Sequence, residues 1–316
     1  MTLGDSAASG GIATIKYHTV LVALASVNTM RRQPTTMTND HIDSLRKYYK
    51  RSRMGYNLLL GGAKHFGYHP EHCDVSERQA IRLMHDQVAH YIQLKPGQHL
   101  LDAGCGQGVV AVDLALRFNC TIDGITQVPF EVEDARHLAD AKEVSDRTCF
   151  SLMDYSKTDF PNGCFDGVYS LETLSHSPDI LSTLKELFRV LKPGGRVAFF
   201  EYALADEGQF TSREIRIRDA IARGSAMAAL TSFRLGTLVT MLQAAGFVNV
   251  GVIDLTANTR PSLRRLRRYA MIPYLAVRLM RLQERFPNVS AAIEFYRMAT
   301  RGLIRYVVII GARPMI

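Results

Sequence analysis

The stretch that most limits what this chain can become is residues 97–108, which read Gly-Gln-His-Leu-Leu-Asp-Ala-Gly-Cys-Gly-Gln-Gly. An apolar run ends at Asp102, glycines alternate at 104, 106 and 108, and a helical pattern then opens at Val109 and lasts to Phe118. A strand that feeds a helix through so tight a turn is the first βα unit of a parallel sheet. Glycine has no Cβ, so backbone here can turn sharply and lie close against a flat ligand. The spacing is G-x-G-x-G. Dinucleotide-binding turns read G-x-G-x-x-G and aim a helix N-terminus at a pyrophosphate, so this turn is of another kind.

The alternation continues along the chain. A helix over 76–93 precedes the turn. The patterning predicts strands at 120–127, 148–153, 167–172 and 196–202, separated by helices at 129–144 and 179–191, the latter stopped by Lys192-Pro193-Gly194-Gly195. A helix at 232–246, a strand at 247–256, mostly helical sequence at 260–302 with breaks near Pro273 and Pro287, and a strand at 305–313 complete the pattern. Parallel strands with right-handed crossovers bring all their tips to one edge, where such sheets bind ligands. The expected fold is α/β, with a Rossmann-like, mostly parallel seven-stranded sheet and helices on both faces. Its parts are an N-terminal extension with one helix (1–37), a core (38–256, with an insertion at about 203–231) and an Arg-rich helical cap with a final strand (257–316). A helix is expected over 12–30; it packs on its own domain or docks on a second copy, giving a homo-oligomer. A further helix begins near Asn39 or Asp40 and ends near Leu60. The loop 61–70, with Gly61, Gly62, His65, Phe66 and Tyr68, suits a lid over the ligand edge.

Several strand tips carry groups suited to binding. The ribose-reading position falls some twenty residues after the first strand. Asp123 comes too early for it, and Thr126 and Gln127 stand at the tip. At the next tip an acid, Asp154, can accept from an amino group while an apolar neighbour packs on a ring. Glu172 ends the fourth strand and Tyr202 the fifth, on the same edge. Cys105 reads as a small residue in a tight turn, and Tyr48, Tyr49 and Phe66 as packing aromatics first and cation-facing ones second.

Leu101 to Gly108, Gly124-Ile125-Thr126, Phe165 to Pro178 and Leu191 to Gly195 together resemble a class I S-adenosylmethionine-dependent methyltransferase. More narrowly they resemble its sterol and isoprenoid C-methyltransferase branch. There the fourth strand runs roughly F-D-x-V-Y-x-x-E-A-T-x-H-x-P and an upstream glycine loop ends His-Phe, as Gly61 to Phe66 does here. The likeness covers about residues 45–202. This chain has no Trp, and Thr173-Leu174 replaces Ala-Thr; both departures point away from a sterol acceptor toward other terpenoids. The resemblance implies S-adenosyl-L-methionine as cofactor and S-adenosyl-L-homocysteine as by-product. It assigns their binding to Gly104, Cys105, Gly106, Thr126, Gln127, Met153, Asp154, Tyr155, Leu171 and His65. It implies Glu172, His176 and Tyr202 as catalytic groups. Glu172 would stabilise a cation or take a proton, against a salt-bridged helix-entry role. His176 would be a base, against a packed role. The implied reaction is methylation of an alkene carbon on an isoprenoid or terpenoid side chain, through a carbocation that rearranges or cyclises. O- or N-methylation with His65 or His176 as base, and a non-catalytic cofactor-fold module, stand as alternatives.

Charge and cysteines narrow the partners. The net charge is +8, yet residues 260–316 hold twelve Arg, two Glu and no Lys, so the positive excess is local to the C-terminal segment. No nucleic-acid module accompanies it. Residues 260–269 therefore read as a solvated helix face, a membrane-adsorbed helix serving a hydrophobic small-molecule substrate, or a diphosphate clamp, in that order. The apolar run 17–30 is short for a bilayer span, and no basic stretch precedes it. The five cysteines are scattered at 73, 105, 120, 149 and 164, without metal-ligand spacing; reduced thiols and a cytoplasmic location follow.

Overall fold

A computed structural model describes residues 39–60, 63–282 and 287–315. The helix expected over 12–30, and with it the suggested docking on a second copy, lies outside the described residues. Residues 36–316 belong to one compact unit.

Helix α1 (Asn39–Leu60) leads to the loop at 63–70 and to α2 (Glu77–Ile92). Ser76 starts α2 with a capping box: its hydroxyl takes the Gln79 N–H while the Gln79 side chain takes the Ser76 N–H. Then come β1 (His99–Ala103), α3 (Val109–Phe118), β2 (Thr121–Thr126), α4 (Pro129–Ala141), β3 (Thr148–Leu152), β4 (Phe165–Leu171), α5 (Ile180–Val190) and β5 (Leu191–Leu204). The remainder is α6 (Ser212–Gly224), α7 (Leu235–Ala245), β6 (Val248–Asp254), α8 (Thr256–Leu279), α9 (Pro287–Thr300) and β7 (Ile304–Ala312).

The seven strands form one sheet in the order β3-β2-β1-β4-β5-β7-β6. All neighbours are parallel except β7, which runs antiparallel to β5 and to β6. The order reverses at β1, whose neighbours are β2 and β4, and the crevice beyond the C-terminal ends of these strands is where such sheets take ligands. Each strand face feeds its own core, as the two-residue period requires. Phe200, Tyr202 and Leu204 of β5 pack with Met84, Val88 and Leu114 on one side. Val197, Phe199 and Ala203 pack with Leu184, Leu187 and Leu242 on the other.

Two boundaries depart from the expectation. Residues 191–195 form the bulged start of β5: Leu191 pairs with Phe165, and the register shifts before Arg196 pairs with Gly167. The Gly194 N–H and Gly195 carbonyl bond the Arg313 backbone just past β7, which holds this Pro-Gly-Gly segment flat on the sheet. The predicted break at Pro273 is also absent, since α8 runs through both Pro261 and Pro273. Each proline removes a helix hydrogen bond. Burial of Tyr274 and Val277 against α9, with the Tyr274 hydroxyl donating to Glu294 Oε1 at 3.0 Å, holds the helix together across the second one. The break at Pro287 is present, as the start of α9.

Candidate active site

At the reversal point lies a cleft of about 760 Å³ counted with its open side. The glycine turn forms its floor. Gly104 adopts φ +96, and both its N–H and that of Cys105 donate to the Ile125 carbonyl at 2.9 Å. Gly106, Thr126, Gln127, Tyr155, Leu171, Glu172, His176 and His65 join Gly104 and Cys105 around the same cleft. Burial pushes the Cys105 thiol well above its ordinary value, so it is an inert wall atom.

Met153 and Asp154 do not line it. Met153 packs into the core on the α5 side. The Asp154 carboxylate is turned into its own loop, accepting from the Ser156 N–H at 2.8 Å and hydroxyl at 2.7 Å. Both bonds use Oδ1 of Asp154; Tyr155, next in sequence, lines the cleft.

Several buried polar atoms around the cleft have no partner among the described residues: Asp102 Oδ2, Gln107 Oε1 and both amide atoms of Gln127. Leaving such groups unpaired costs about 1–3 kcal/mol each. Burial raises the Asp102 carboxyl to about 7. A carboxyl oxygen, an amide oxygen and a full amide awaiting partners beside the apolar Val109, Val110 and Val128 suit a ligand with an ammonium group, hydroxyls and a flat ring system. S-adenosyl-L-methionine has these groups, and the residues present fit it.

Pattern reading missed Glu131. The Thr126 hydroxyl, rather than facing a ligand freely, donates to Glu131 Oε2 at 2.7 Å, and the Lys64 ammonium pairs with Glu131 Oε1. Glu131 lies in the first turn of α4, and the helix geometry swings its carboxylate back into the cleft. An acid following the β2 tip was the available signal. Lys64 also sits 4.2 Å over the Tyr49 ring, so the loop at 63–70 closes one wall.

Glu172 ends the inner side. Its backbone has φ +56, costly for a residue with a Cβ, and its N–H bonds the Phe200 carbonyl at 2.8 Å. Oε1 accepts the Phe66 N–H at 2.9 Å and Oε2 accepts the Tyr202 hydroxyl. Tyr202 thus reaches the site through Glu172 rather than by lining the cleft. The partners of Glu172 are a phenol and a peptide N–H, with no ion pair among the described residues, so the salt-bridged reading finds no support. Burial raises its carboxyl to about 7, and the Tyr202 and Phe66 hydrogen bonds hold it from going higher.

Both histidines are engaged. His176 donates from Nδ1 to the Ala226 carbonyl at 3.0 Å, which leaves Nε2 to accept the Tyr49 hydroxyl at 2.9 Å. Burial lowers it to about 4, so it is neutral. His65 donates from Nδ1 to the Phe66 carbonyl at 3.0 Å, and its Nε2 meets His85 Nε2 at 3.3 Å. Burial and the neighbouring His85 lower it to about 3. Both of its ring nitrogens are engaged by protein partners. A second residue that pattern reading missed is Glu201. Wholly buried in β5 beneath the turn at Leu174–His176, it accepts the Ser175 N–H at 3.3 Å and is raised to about 8 by burial and the nearby Glu172.

Residues 101–199 match the profile of a methyltransferase domain. Over 284 residues, 86% of this chain and 95% of the other, the sequence is 30% identical to the S-adenosyl-L-methionine-dependent Diels-Alderase iccD of Talaromyces variabilis. The chain belongs to the S-adenosyl-L-methionine-dependent methyltransferase family. It is 32% identical over 205 residues to the 27-O-demethylrifamycin SV methyltransferase of Amycolatopsis mediterranei, covering 65% of this chain and 73% of that one. It is also 33% identical over 179 residues to the sterol 24-C-methyltransferase ERG6A of Gibberella zeae, covering 54% of this chain and 45% of that protein. The chain thus spans about half the length of that sterol enzyme. The cofactor of this methyltransferase is S-adenosyl-L-methionine, the ligand that the unpaired groups of the cleft fit.

Proposed function

We propose that this methyltransferase methylates an alkene carbon on an isoprenoid or terpenoid side chain. The observation that carries the reading is Glu172: a buried carboxyl at the inner wall of the cofactor cleft, held on strained backbone by a phenol and a peptide N–H. Asp102, Gln107, Gln127 and Glu131 are the groups proposed to hold the cofactor, which when bound supplies an electrophilic methyl group. The sterol 24-C-methyltransferase relative lends support for a carbon acceptor.

Adding a methyl group to an alkene carbon leaves positive charge on the adjoining carbon of the acceptor. The Glu172 carboxylate opposes that charge across the cleft that α1 and the loop at 63–70 border. Loss of a proton from a neighbouring carbon of the acceptor to Glu172 then forms the new double bond. Glu172 works in its ionised form, which gains population as pH rises through about 7, so turnover climbs across that range. Glu172→Gln is expected to keep cofactor binding and to lower turnover by roughly 10²–10⁴-fold, removing the limb near pH 7. The assay follows transfer of labelled methyl into a hydrocarbon-soluble product, with calorimetry for cofactor binding. Normal turnover with weakened cofactor affinity in that variant would falsify the role.

A second reading, cyclisation, is favoured by the likeness to iccD over nearly the full length of both chains. A Diels–Alder reaction transfers no methyl group, so the same assay separates the two: an isomer of the substrate, unlabelled, marks cyclisation.

For α8 we propose contact with an anionic lipid surface. Ile272 and Leu279 are 80% and 86% exposed, Leu275 and Met280 share their face, and Arg264, Arg268 and Arg278 lie on the same helix. Among the described residues no helix is long and apolar enough to cross a membrane.

A further inference from the structure

One contact of the loop at 63–70 is between two buried histidine rings. His65, at the cleft wall, and His85, on α2, are 4% and 2% exposed. They face each other Nε2 to Nε2 at 3.3 Å, with their ring planes at 67°. Their other nitrogens decide where the protons stand. His65 Nδ1 lies 3.0 Å from the Phe66 carbonyl oxygen, which only accepts, so Nδ1 carries a hydrogen. His85 Nδ1 lies 2.8 Å from Asp113 Oδ2, on α3. Burial alone would raise that carboxyl, but the bonds from His85 and Arg117 hold it below its ordinary value, so it too is an acceptor. His85 Nδ1 therefore also carries a hydrogen. A neutral imidazole has one N–H. Two neutral rings would set lone pair against lone pair across the 3.3 Å gap. One further proton turns that contact into a hydrogen bond.

Of the two rings, His85 is the one placed to carry it. Its Nδ1 rests on a carboxylate, as a buried cation requires. His65 has a carbonyl there instead, and burial and then the charge on His85 lower it to about 3. Around the pair, α3 supplies Asp113 and Arg117, joined at 2.8 Å. α2 supplies Asp86, which pairs with Arg117, and Arg82, 3.7 Å from Asp113. The strands beneath α2 add the phenol of Tyr169, which burial keeps neutral. On the cleft side stand Lys64, Asp102, Glu131 and Glu172.

The bridge bears on the site because His65 sits in the middle of the loop that borders it. Lys64, one residue before, pairs with Glu131 in the cleft. Phe66, one residue after, gives its N–H to Glu172 at 2.9 Å and accepts from the His65 ring. We infer that His85 is an imidazolium whose Nε2 donates to His65, and that this bridge, seated on Asp113, positions residues 64–66 against the cofactor cleft. His85 and Asp113 stand behind the cleft wall and act through His65. Loss of the proton releases the loop, so cofactor affinity falls as pH rises past the point where His85 gives it up. The inference concerns the cofactor site alone and holds whatever the acceptor is.

Two measurements on the full chain test it without turnover. The first is proton–nitrogen correlation NMR of protein carrying isotope-labelled histidine, at about pH 6. The signals of each ring are assigned by their loss in His85→Gln and in His65→Gln. Both nitrogens of His85 should appear protonated, and Nε2 of His65 as a lone-pair nitrogen. A lone-pair nitrogen in both rings overturns the inference. The second is calorimetry with S-adenosyl-L-homocysteine between about pH 6 and about pH 9. His85→Gln puts an amide N–H where the ring N–H stood and cannot titrate. It should bind like the parent at the lower pH and lose less affinity than the parent at the higher one; the amino group of the by-product titrates alike in both. His85→Leu removes the donor and should bind roughly tenfold more weakly at the lower pH, because apparent affinity follows the fraction of protein with its loop in place. Parent-like binding by His85→Leu overturns the inference. So does the same loss with pH in the parent and in His85→Gln, or a His85→Gln as weak as His85→Leu. If His85→Leu does not fold, the proton count and the pH comparison decide.

Discussion

Three buried carboxyls set the character of this protein: Asp102, Glu172 and Glu201, each raised by burial to between about 7 and 8. Only Glu172 meets the proposed chemistry. Glu201 sits across β5 from Tyr202 and props the turn that carries His176, with its Oε2 unpartnered among the described residues. Its folded value, about 8, lies above the ordinary 4.5. The folded state thus binds that proton more tightly than the unfolded chain. Its stabilising contribution is complete below about pH 4.5 and is lost as pH rises through about 8. Glu172, Ser175, Leu174 and Tyr202 are the neighbours that tune it. Glu201→Gln keeps an acceptor for Ser175 and cannot ionise. Scanning calorimetry should show the variant matching the parent at pH 5 and melting higher at pH 9 by at least roughly 2–4 °C, the shift expected per kcal/mol in a domain of this size. A parent that melts higher at pH 9 would mean that Glu201 is needed there as an anion.

The glycine turn and the strands around it show which parts of an element a pattern can specify. Gly104 and Gly106 look alike in sequence yet do different work. A Cβ on Gly104 would meet Thr173 Cγ2 at 2.6 Å, whereas one on Gly106 finds nothing nearer than Lys64 Cδ at 3.7 Å. Both have positive φ. Gly104→Ala is expected to cost about 1–3 kcal/mol in denaturant unfolding through clash and strain. Gly106→Ala should cost about 1–2 kcal/mol through strain alone, while still weakening cofactor binding because the added methyl enters the cleft. Equal unfolding costs would show that the Thr173 contact yields freely. The alternation of strands and helices was legible because periods of two and near four are written locally. So were the glycine turn and the strand-tip position of Glu172. The unbroken run of α8 through Pro273 was not, since packing on α9 supports it. Glu131 and Glu201 escaped for a related reason: their side chains matter through neighbours distant in sequence, Lys64 for one and the turn at 174–176 for the other. The partner that Asp154 takes within its own loop, Ser156 two residues on, was not legible either.

At the scale of the molecule, charge and greasiness are gathered at one helix. α8 buries Thr259 and Leu263 near its start, and carries Tyr269, Ile272, Leu275 and Leu279 exposed toward its end. Spacings of three, three and four put these side chains on one stripe. Exposed apolar stripes of this kind are uncommon on monomeric proteins unless something covers them. The arginines flanking the stripe favour an anionic headgroup layer over a neutral surface. Flotation with phosphatidylcholine vesicles should leave the protein in solution. Adding phosphatidylserine should carry it to the vesicle fraction, less so at high salt because the Debye length contracts to about 3 Å at 1 M. Ile272→Asp/Leu279→Asp, two changes at exposed positions, should abolish flotation with cofactor binding intact. If the protein floats equally with both vesicle types, or if the double variant still floats, the stripe serves something other than an anionic lipid surface.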